Sequence, residues 1–322
     1  MSRNAVKIIT LGSEYALPLP AAKLGESPIC TPDGDTLYYV DVPAGKIHSY
    51  EFSTKRADVI ETGTNVSFVA PEADRPGVVV AGTGNGDIRR YEFGTTRNEV
   101  IARIKDPRPD ERSNDGKVDP RGVLVAGTKG TDDGPNIGRL SWLLSPGGLT
   151  TRLDGVHISQ GPAWSPNGET MYHNDSGAFL WSTPYDGGRS RPDADKMRNV
   201  FASMPKDGSV PDGLTVDAAG QIVLAKWSHT GDMGRVEIYE NDKGKGRLVA
   251  MIELPTVLQA SSVIFGGLEH KDLIITTANY GKSEERPDIY RDAGKIFVLP
   301  GVLAGLPATP FAGKNFPALK MG

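Results

Sequence analysis

Polar side chains precede a turn glycine by the same distance at four places in the sequence. The four pairs, each eight residues apart, are Glu26 and Gly34, Asn114 and Gly122, Gln160 and Gly168, and Asp212 and Gly220. Two carboxylates and two amides brought together repel one another or leave hydrogen bonds unmade unless a cation lies among them. Oxygen ligands of these types suit a hard divalent ion such as Ca²⁺, Mg²⁺ or Mn²⁺. The same residue types also cap turns, so the spacing alone leaves a metal site and a structural role open.

These four positions belong to a repeated unit of short strands and Gly-containing turns, as in "TLYYVDVPAGKIHSYEF". The units begin near Glu26, Val66, Asn114, Gln160, Asp212 and Ser261, which are 40 to 52 residues apart. Units of about 40 to 50 residues with three or four strands are typical of β-propeller blades. The sequence therefore predicts an all-β fold, a six-bladed β-propeller with four-stranded blades, that fills residues 1–322 as a single domain.

A propeller explains why the four polar residues should meet. The first strand of every blade lines the central channel, so equivalent positions on those strands form a ring. The residues before Glu26 are expected to supply the strand that closes the ring against the last blade, because closure removes exposed sheet edges. A pair of β-sandwiches also has short strands at regular spacing and is the alternative fold.

Composition limits the partners. Lys and Arg number 36 against 40 Asp and Glu, the formal net charge is −4, and no long basic run is present, which argues against nucleic acid. No apolar run is long enough to span a bilayer, and the first residues lack the apolar core of a signal peptide. We therefore expect a cytoplasmic protein, a monomer or weak dimer, that binds a small molecule and no membrane.

Four segments of the chain resemble the family of regucalcin (senescence marker protein), gluconolactonase and luciferin-regenerating enzyme. In order, they are similar to the family's first, third, fourth and fifth blades: "GESPICTPDGDTLYYVDVPAGKIHSYE", "RSNDGKVDPRGVLVAGT", "SQGPAWSPNGETMYHNDS" and "PDGLTVDAAGQIVLA". The resemblance spans roughly residues 20–300, and four ordered motifs are far more specific than one short motif. It implies a six-bladed propeller with one divalent ion in the channel, and lactonase activity.

The resemblance also implies roles for individual residues. Glu26 and Asp212 match the acidic metal ligands, and Gln160 falls where the family usually has an asparagine ligand. Arg112 and Asn114 match substrate-contacting residues, with Asn114 also near the metal, and Asp115 is placed beside them. Because glutamine is longer by one methylene, Gln160 is expected to ligate the ion after folding back, or through a water. Ca²⁺ is the expected ion, with Zn²⁺, Mg²⁺ and Mn²⁺ as alternatives.

The hypothesis that follows is hydrolysis of a lactone. The ion would polarise the carbonyl oxygen and lower the pKa of a bound water, while Asp212 would act as both ligand and general base. Arg112 would hold a hydroxyl or carboxylate of the substrate. Two alternatives stay open: a calcium-binding regulatory protein without catalysis, and another hydrolytic or ring-opening reaction, such as phosphotriester hydrolysis, in the same pocket.

Other residues with chemical potential lie outside this ring. His173 and His229 each follow a second strand and could reach the channel mouth, but a surface or structural role is the expectation for both. Trp142, Trp164 and Trp181 lie in strand-like runs and are expected in the core. The sequence contains no G-x-S-x-G motif, which argues against a serine hydrolase.

Overall fold

The computed structural model describes residues 5–131, 137–187 and 199–313. In this part the chain forms short β-strands, one four-residue helix, α1 (Lys282–Glu285), and one 3₁₀ turn (Ser13–Tyr15). The predicted all-β class is therefore confirmed. Within the same residues, no helix has the length and hydropathy needed to cross a membrane.

The first sheet is a four-stranded antiparallel meander in the order β2-β3-β4-β5. Its strands are β2 (Gly25–Cys30), β3 (Thr36–Asp41), β4 (Lys46–Glu51) and β5 (Arg56–Glu61). Burial falls along this order, from a first strand that is almost wholly buried to a last strand that is almost wholly exposed. Apolar β-branched and aromatic residues, as in "TLYYV", suit the buried strands because those strands are covered on both faces.

The second sheet has eight strands in the order β10-β11-β12-β13-β9-β8-β7-β6. Its strands are β6 (Val66–Pro71), β7 (Val78–Thr83), β8 (Asp87–Glu92), β9 (Asn98–Arg103), β10 (Glu111–Val118), β11 (Leu124–Gly130), β12 (Gly138–Ser145) and β13 (Gly147–Val156). Two antiparallel groups of four make up this sheet. A short parallel pairing of Ala102 with Gly147 and of Arg103 with Gly148 joins them at their outer strands.

Three further sheets complete the fold. The third contains β14 (Gln160–Trp164), β15 (Thr170–Asn174), β16 (Phe179–Pro184) and β17 (Asn199–Ser203). The fourth contains β18 (Ser209–Val216), β19 (Ile222–Ser228), β20 (Gly234–Asp242), β21 (Lys245–Leu254) and the N-terminal β1 (Lys7–Thr10). The fifth contains β22 (Gln259–Gly266), β23 (Asp272–Ala278) and β24 (Phe297–Leu299).

The N-terminal segment differs from the expectation that it closes the ring against the last blade. Its strand β1 pairs in parallel with β21, so it extends the fourth sheet. The segment reaches the last sheet only through single bridges, Ala16 with Phe297 and Leu24 with Ala278. This pairing covers the outer edge of β21. The segment therefore protects an exposed sheet edge, as expected, but the edge belongs to the fourth sheet and not to the last blade.

The hydrophobic core lies between the faces of neighbouring sheets. We call each antiparallel set of successive strands a strand group: β2–β5, β6–β9, β10–β13, β14–β17, β18–β21 and β22–β24. Five apolar clusters each contain residues from two or more of these groups, and together they run around the whole molecule. Representative pairs are Val40 with Val79, Val80 with Leu124, Leu140 with Met171, Tyr172 with Leu224, Val223 with Val263, and Ile274 with Val40. Cluster membership of this kind indicates sheets stacked face to face around an axis, as in a propeller.

The first strands of the strand groups form a closed ring. Each of β2, β6, β10, β14 and β18 contacts the next, and β22 contacts β2. The strands approach closely at glycines: a Cβ added at Gly213 on β18 would lie 2.1 Å from the Ser262 Oγ and 2.8 Å from the Ser262 Cα on β22. The ring is thus packed too tightly for its inner strands to shift independently.

We expect Gly213→Ala to destabilise the protein by about 1–3 kcal/mol, because the added methyl group forces apart two inner strands of a packed core. The measurement is the urea midpoint at unchanged m-value. The double variant Gly213→Ala, Ser262→Gly should recover part of the loss, because two of the three close atoms are removed. An unchanged midpoint in the single variant would show that the ring is not tightly packed there.

Candidate active site

All six residues that the sequence singled out line one cavity of about 860 Å³. They are Glu26, Arg112, Asn114, Asp115, Gln160 and Asp212. These residues come from β2, β10, β14 and β18, which belong to four different strand groups. The predicted convergence is therefore observed, while the role of each residue stays a prediction.

Register shifts in the inner strands explain why these side chains face the cavity. The pairing of β2 with β3 shifts directly after Glu26, and that of β14 with β15 shifts directly after Gln160. In β10 the shift spans Asn114 and Asp115, and in β18 it spans Asp212. Irregularities of this kind bend a strand and re-aim its side chains, and they are common beside functional sites.

Hydrogen bonds hold the shifted segments against their neighbours. Asn114 Nδ2 donates to the Ser159 carbonyl at 2.9 Å, and Asn174 Nδ2 donates to the Asp212 carbonyl at 2.8 Å. These side chains satisfy backbone groups that the irregular ladder leaves unpaired. The site is therefore built on restrained strands rather than on mobile loops.

Asp115 ties two inner strands together. Its Oδ1 accepts from the Gly116 N–H at 2.7 Å and its Oδ2 accepts from the Gly161 N–H at 2.9 Å. Burial raises the pKa of Asp115, and the charge of Lys117 together with these two hydrogen bonds partly offsets the rise. Asp115 thus has a clear positioning role, and any substrate contact would share oxygens that already accept hydrogen bonds.

The carboxylates of Glu26 and Asp212 are electrostatically strained. Burial raises the pKa of Glu26 well above its ordinary value, and the charges of Asp212 and Asp115 raise it further. Burial likewise raises the pKa of Asp212, with Asp115 adding to the rise and Lys129 opposing it. The Asp212 Oδ1 atom is buried and has no hydrogen-bond partner among the described residues. A buried acceptor in this state is costly, so each of these observations favours a cation among the carboxylates.

The donor chemistry fits a hard divalent ion. Among the described residues, His, Cys, Asp and Glu side chains form no group of three or more that could hold a metal ion. A site in this cavity therefore needs amide oxygens from Asn114 and Gln160 beside the carboxylates of Glu26 and Asp212. Such an all-oxygen set is what Ca²⁺ and similar ions prefer. Gln160 is buried, and its side chain lowers the pKa of the neighbouring Asp212 carboxyl.

Two buried lysines near the site were not singled out from the sequence. Lys117 on β10 donates from Nζ to the Leu214 carbonyl on β18, so it crosses the ring. Burial lowers the pKa of Lys117, while the charges of Asp115 and Glu26 oppose that effect. Lys129 on β11 lines the cavity itself. Lys117 stands three residues after Asn114 in "NDGKV", but the sequence gives no sign that its side chain turns inward.

Part of the cavity wall is aromatic and basic. Trp227 and Tyr280 line it, with their ring centroids 6.4 Å apart, together with His229 and Lys282. His229 therefore reaches the cavity, whereas His173 is buried and is not part of this lining. Of the tryptophans discussed from the sequence, Trp142 and Trp164 are in the core as predicted. Trp181 is only partly buried, because it lies on β16, the third strand of its sheet, and belongs to none of the core clusters of the described residues. Trp227 was not singled out from the sequence, because its position in "LAKWSHTG" looks like the end of any strand.

We expect Glu26→Gln to stabilise the metal-free protein by about 0.5–2 kcal/mol, because it removes one of the mutually repelling charges. The pKa of Glu26 is raised in the folded protein. The free energy of unfolding is therefore unaffected by this carboxyl below its unfolded pKa, and it falls as the pH rises through the folded pKa. The gain should thus be seen at pH 8 and vanish at pH 4, measured by urea unfolding in EDTA. Glu14→Gln, at an exposed position, is the control; equal gains in both variants would contradict the account.

The sequence of this chain is similar to those of known proteins. Residues 24–279 match the model of the SMP-30/Gluconolactonase/LRE-like region. A pentonolactonase of Haloferax volcanii is 32% identical over 293 residues, which cover 89% of this chain and 94% of the relative. Regucalcin of Xenopus laevis is 28% identical over 298 residues, 90% of this chain and 95% of the relative. 

The fold also matches a solved structure. A regucalcin of Agrobacterium tumefaciens, described as a calcium-binding protein, superposes with a TM-score of 0.84 at 22% identity, over 95% of this chain and 99% of that one. At this level of identity the superposition speaks for the fold alone. The family match covers most of the chain and includes all four inner strands that carry the candidate site. The chain belongs to the SMP-30/gluconolactonase/LRE-like family.

Proposed function

We propose that this chain is a divalent-metal-dependent hydrolase that opens a lactone, a small-molecule substrate. The observation that carries the proposal is the convergence of Glu26, Asn114, Gln160 and Asp212 on one cavity, where no described residue donates a hydrogen bond to the buried Asp212 Oδ1. Membership of a family that includes gluconolactonase, and similarity to a protein named pentonolactonase, support the choice of lactones.

The scaffold in this proposal is a six-bladed propeller in which residues 1–322 form one domain. The eight-stranded sheet would count as two blades, because its halves are joined by only two residue pairs at their outer strands. Apolar residues of both halves, such as Val80 and Leu124, pack together in one core cluster, as the faces of adjacent blades do. The ring of six inner strands is consistent with this count.

The metal would be held by the carboxylates of Glu26 and Asp212 and by the amide oxygen of Gln160, directly or through a water, with Asn114 as a further candidate. Ca²⁺ is the first choice for an all-oxygen site, with Mg²⁺, Mn²⁺ and Zn²⁺ as alternatives. When bound, such an ion supplies Lewis-acid polarisation of the substrate carbonyl.

The chain's own residues would carry the proton. Asp212 would take a proton from water as the water oxygen bonds to the lactone carbonyl carbon. Its Oδ1 atom has no competing hydrogen bond from the described residues, so it can accept a proton from water. As the ring C–O bond breaks, Asp212 would return that proton to the departing ring oxygen. The product is the open hydroxy acid.

Arg112 and Asn114 would orient the substrate. Arg112 lines the cavity and donates from Nη1 to the Ser113 carbonyl at 3.0 Å, which fixes one arm of its guanidinium. A guanidinium with its planar fork of donors suits a hydroxyl or carboxylate group. Asn114 donates its amide nitrogen to Ser159, so its oxygen stays available as an acceptor or ligand.

A calcium-binding role without catalysis is the second candidate, because several relatives are named regucalcin. The same residues would serve both functions, so only turnover separates them. We would screen sugar lactones, aliphatic lactones and aryl esters in a pH-stat, after metal analysis of the purified protein. Turnover that stops in EDTA and returns with a divalent ion supports the hydrolase; metal binding without turnover across the panel supports the binder.

We expect Asp212→Asn to lower kcat for the best lactone at least about 10²-fold, because the general base is lost. Metal binding should weaken far less than in Glu26→Ala, since the asparagine oxygen remains a ligand, and isothermal titration with the ion measures this. Full activity in Asp212→Asn at normal metal occupancy would show that Asp212 is not the base.

A further inference from the structure

Apolar side chains form a continuous arc along one side of the candidate active-site cavity. Val210 and Trp227 are direct antiparallel partners on β18 and β19, so they project from the same face of that sheet. The ring centroids of Trp227 and Tyr280 are 6.4 Å apart. Leu24 forms a bridge with the last residue of β23, just before Tyr280, and its carbonyl accepts from the Val42 N–H at 3.0 Å. These five residues, which all line the cavity, are called the apolar arc below.

The other side of the cavity is polar. The inner strands contact one another in the order β2, β6, β10, β14, β18 and β22, so β10 and β14 lie across the ring from β22 and β2. To the described lining, β10 contributes Arg112, Asn114 and Asp115, and β14 contributes Gln160. Ile158, just before β14, is an apolar exception on this side. The cavity is therefore amphipathic, with a polar wall facing an apolar one.

Polar side chains that line the cavity beside the two aromatic rings are bonded to the protein or exposed to solvent. Lys282 Nζ donates to the Gly231 carbonyl at 3.3 Å, and Gln259 Nε2 donates to the Tyr280 carbonyl at 3.3 Å. His229 is exposed. A hydroxyl group of a ligand placed against the apolar arc would lose water without gaining a hydrogen bond from the arc, which costs free energy. A hydrocarbon group has no such cost, so the arc favours apolar groups.

Tyr280 is 51% exposed, yet the fold holds it in place. The Lys23 ammonium lies 5.6 Å from its ring centroid, and the N–H of the preceding Asn279 donates to the Lys23 carbonyl at 3.0 Å. An exposed aromatic face that is held in this way keeps apolar surface in water. Contact with an apolar ligand would remove that surface from water, and this contributes favourably to binding.

The apolar arc begins next to the candidate metal centre. Leu24 and Val210 each stand two residues before a proposed ligand, Glu26 and Asp212 respectively, which is about 7 Å along an extended chain. A group attached to a lactone ring at the centre would therefore reach the arc within the length of a short side chain.

We propose that the apolar arc binds a hydrocarbon substituent of the substrate. Taken with the proposed function, on which this step rests, the substrate is a lactone whose ring carries an alkyl or aryl group rather than a set of hydroxyl groups. Trp227 and Tyr280 determine this specificity, because their rings supply most of the apolar area of the arc.

The test compares δ-valerolactone with δ-decalactone, which has the same ring and an added pentyl chain. Each methylene that leaves water contributes about fourfold, so wild-type protein should favour δ-decalactone in kcat/KM by at least about tenfold. In Trp227→Ala the ratio of the two kcat/KM values should fall about fivefold or more, and Trp227→Phe should restore most of it. Tyr280→Ala changes a half-exposed residue and should lower the ratio in the same way, so it tests the proposal if Trp227→Ala does not fold.

Leu268→Ala is the matched control, because Leu268 is an exposed apolar residue outside the cavity lining. It should leave the ratio unchanged. Glucono-1,5-lactone is the hydroxylated comparison, and its kcat/KM should fall less in Trp227→Ala than that of δ-decalactone. Equal falls would show that the rings stack on any lactone. That result, a wild-type ratio near one, or an unchanged ratio in Trp227→Ala would overturn the proposal while leaving the lactonase assignment intact.

Binding of the matching lactams, measured by isothermal titration in the presence of Ca²⁺, separates this proposal from the proposed function. An amide resists hydrolysis, so δ-valerolactam and δ-decalactam report binding alone. If no lactone is turned over, the hydrolase assignment fails, and the apolar arc is judged by these lactams. Tighter binding of δ-decalactam that weakens about fivefold in Trp227→Ala, but not in Leu268→Ala, supports the arc as a binding surface. Equal Kd values for the two lactams, or no binding of either, overturn it.

Discussion

The half-buried Glu26 and the buried Asp212 lie close enough for the charge of Asp212 to raise the pKa of Glu26, and the rest of the site depends on how the fold accommodates that repulsion. Burial and neighbouring acids both raise the pKa values of this pair, and one oxygen of Asp212 accepts no hydrogen bond from the described part of the chain. A carboxylate pair with no other role would be replaced at little cost by neutral residues. Its presence at the centre of a packed ring is the physical reason for placing a cation there.

The hydrophobic core of the scaffold offsets the free-energy cost of placing repelling carboxylates together. Apolar clusters between successive sheets surround the axis, and fully buried residues such as Val79, Leu124 and Leu224 each contribute about 1.5–3 kcal/mol. Register shifts then turn the polar residues of β2, β10, β14 and β18 toward the cavity, and Asp115 fastens two of these strands together. Function and packing are separated in space, with acids and amides on the axis and the hydrophobic core around it.

Sequence reasoning was strongest where the pattern is repeated. The eight-residue spacing from polar residue to turn glycine located Glu26, Asn114, Gln160 and Asp212 in one cavity, because each belongs to the same step of a similar unit. The partner of β1 could not be predicted in this way, since parallel pairing with β21 joins residues that are distant in the chain and have no local signal. The sequence predicted that this strand closes the ring against the last blade, whereas it covers the outer edge of β21 in the fourth sheet.

Lys129 and Trp227 were missed for a related reason. Both stand near the ends of second strands, β11 and β19, where only the packing of neighbouring strands decides that a side chain faces the cavity. The register shifts are likewise invisible in the sequence, because an extra residue in a ladder follows from pairing and not from composition. Positions of the predicted ligands could therefore be read from spacing, whereas the charge and shape of the surrounding wall required the structure.

Anomalous diffraction from crystals grown with Mn²⁺ tests the central claim most directly. The account predicts one anomalous peak in the cavity, bonded to oxygens of both Glu26 and Asp212. The account would be contradicted by a peak elsewhere in the molecule. It would also be contradicted if no peak appeared in the cavity while the Glu26 and Asp212 carboxylates kept their positions.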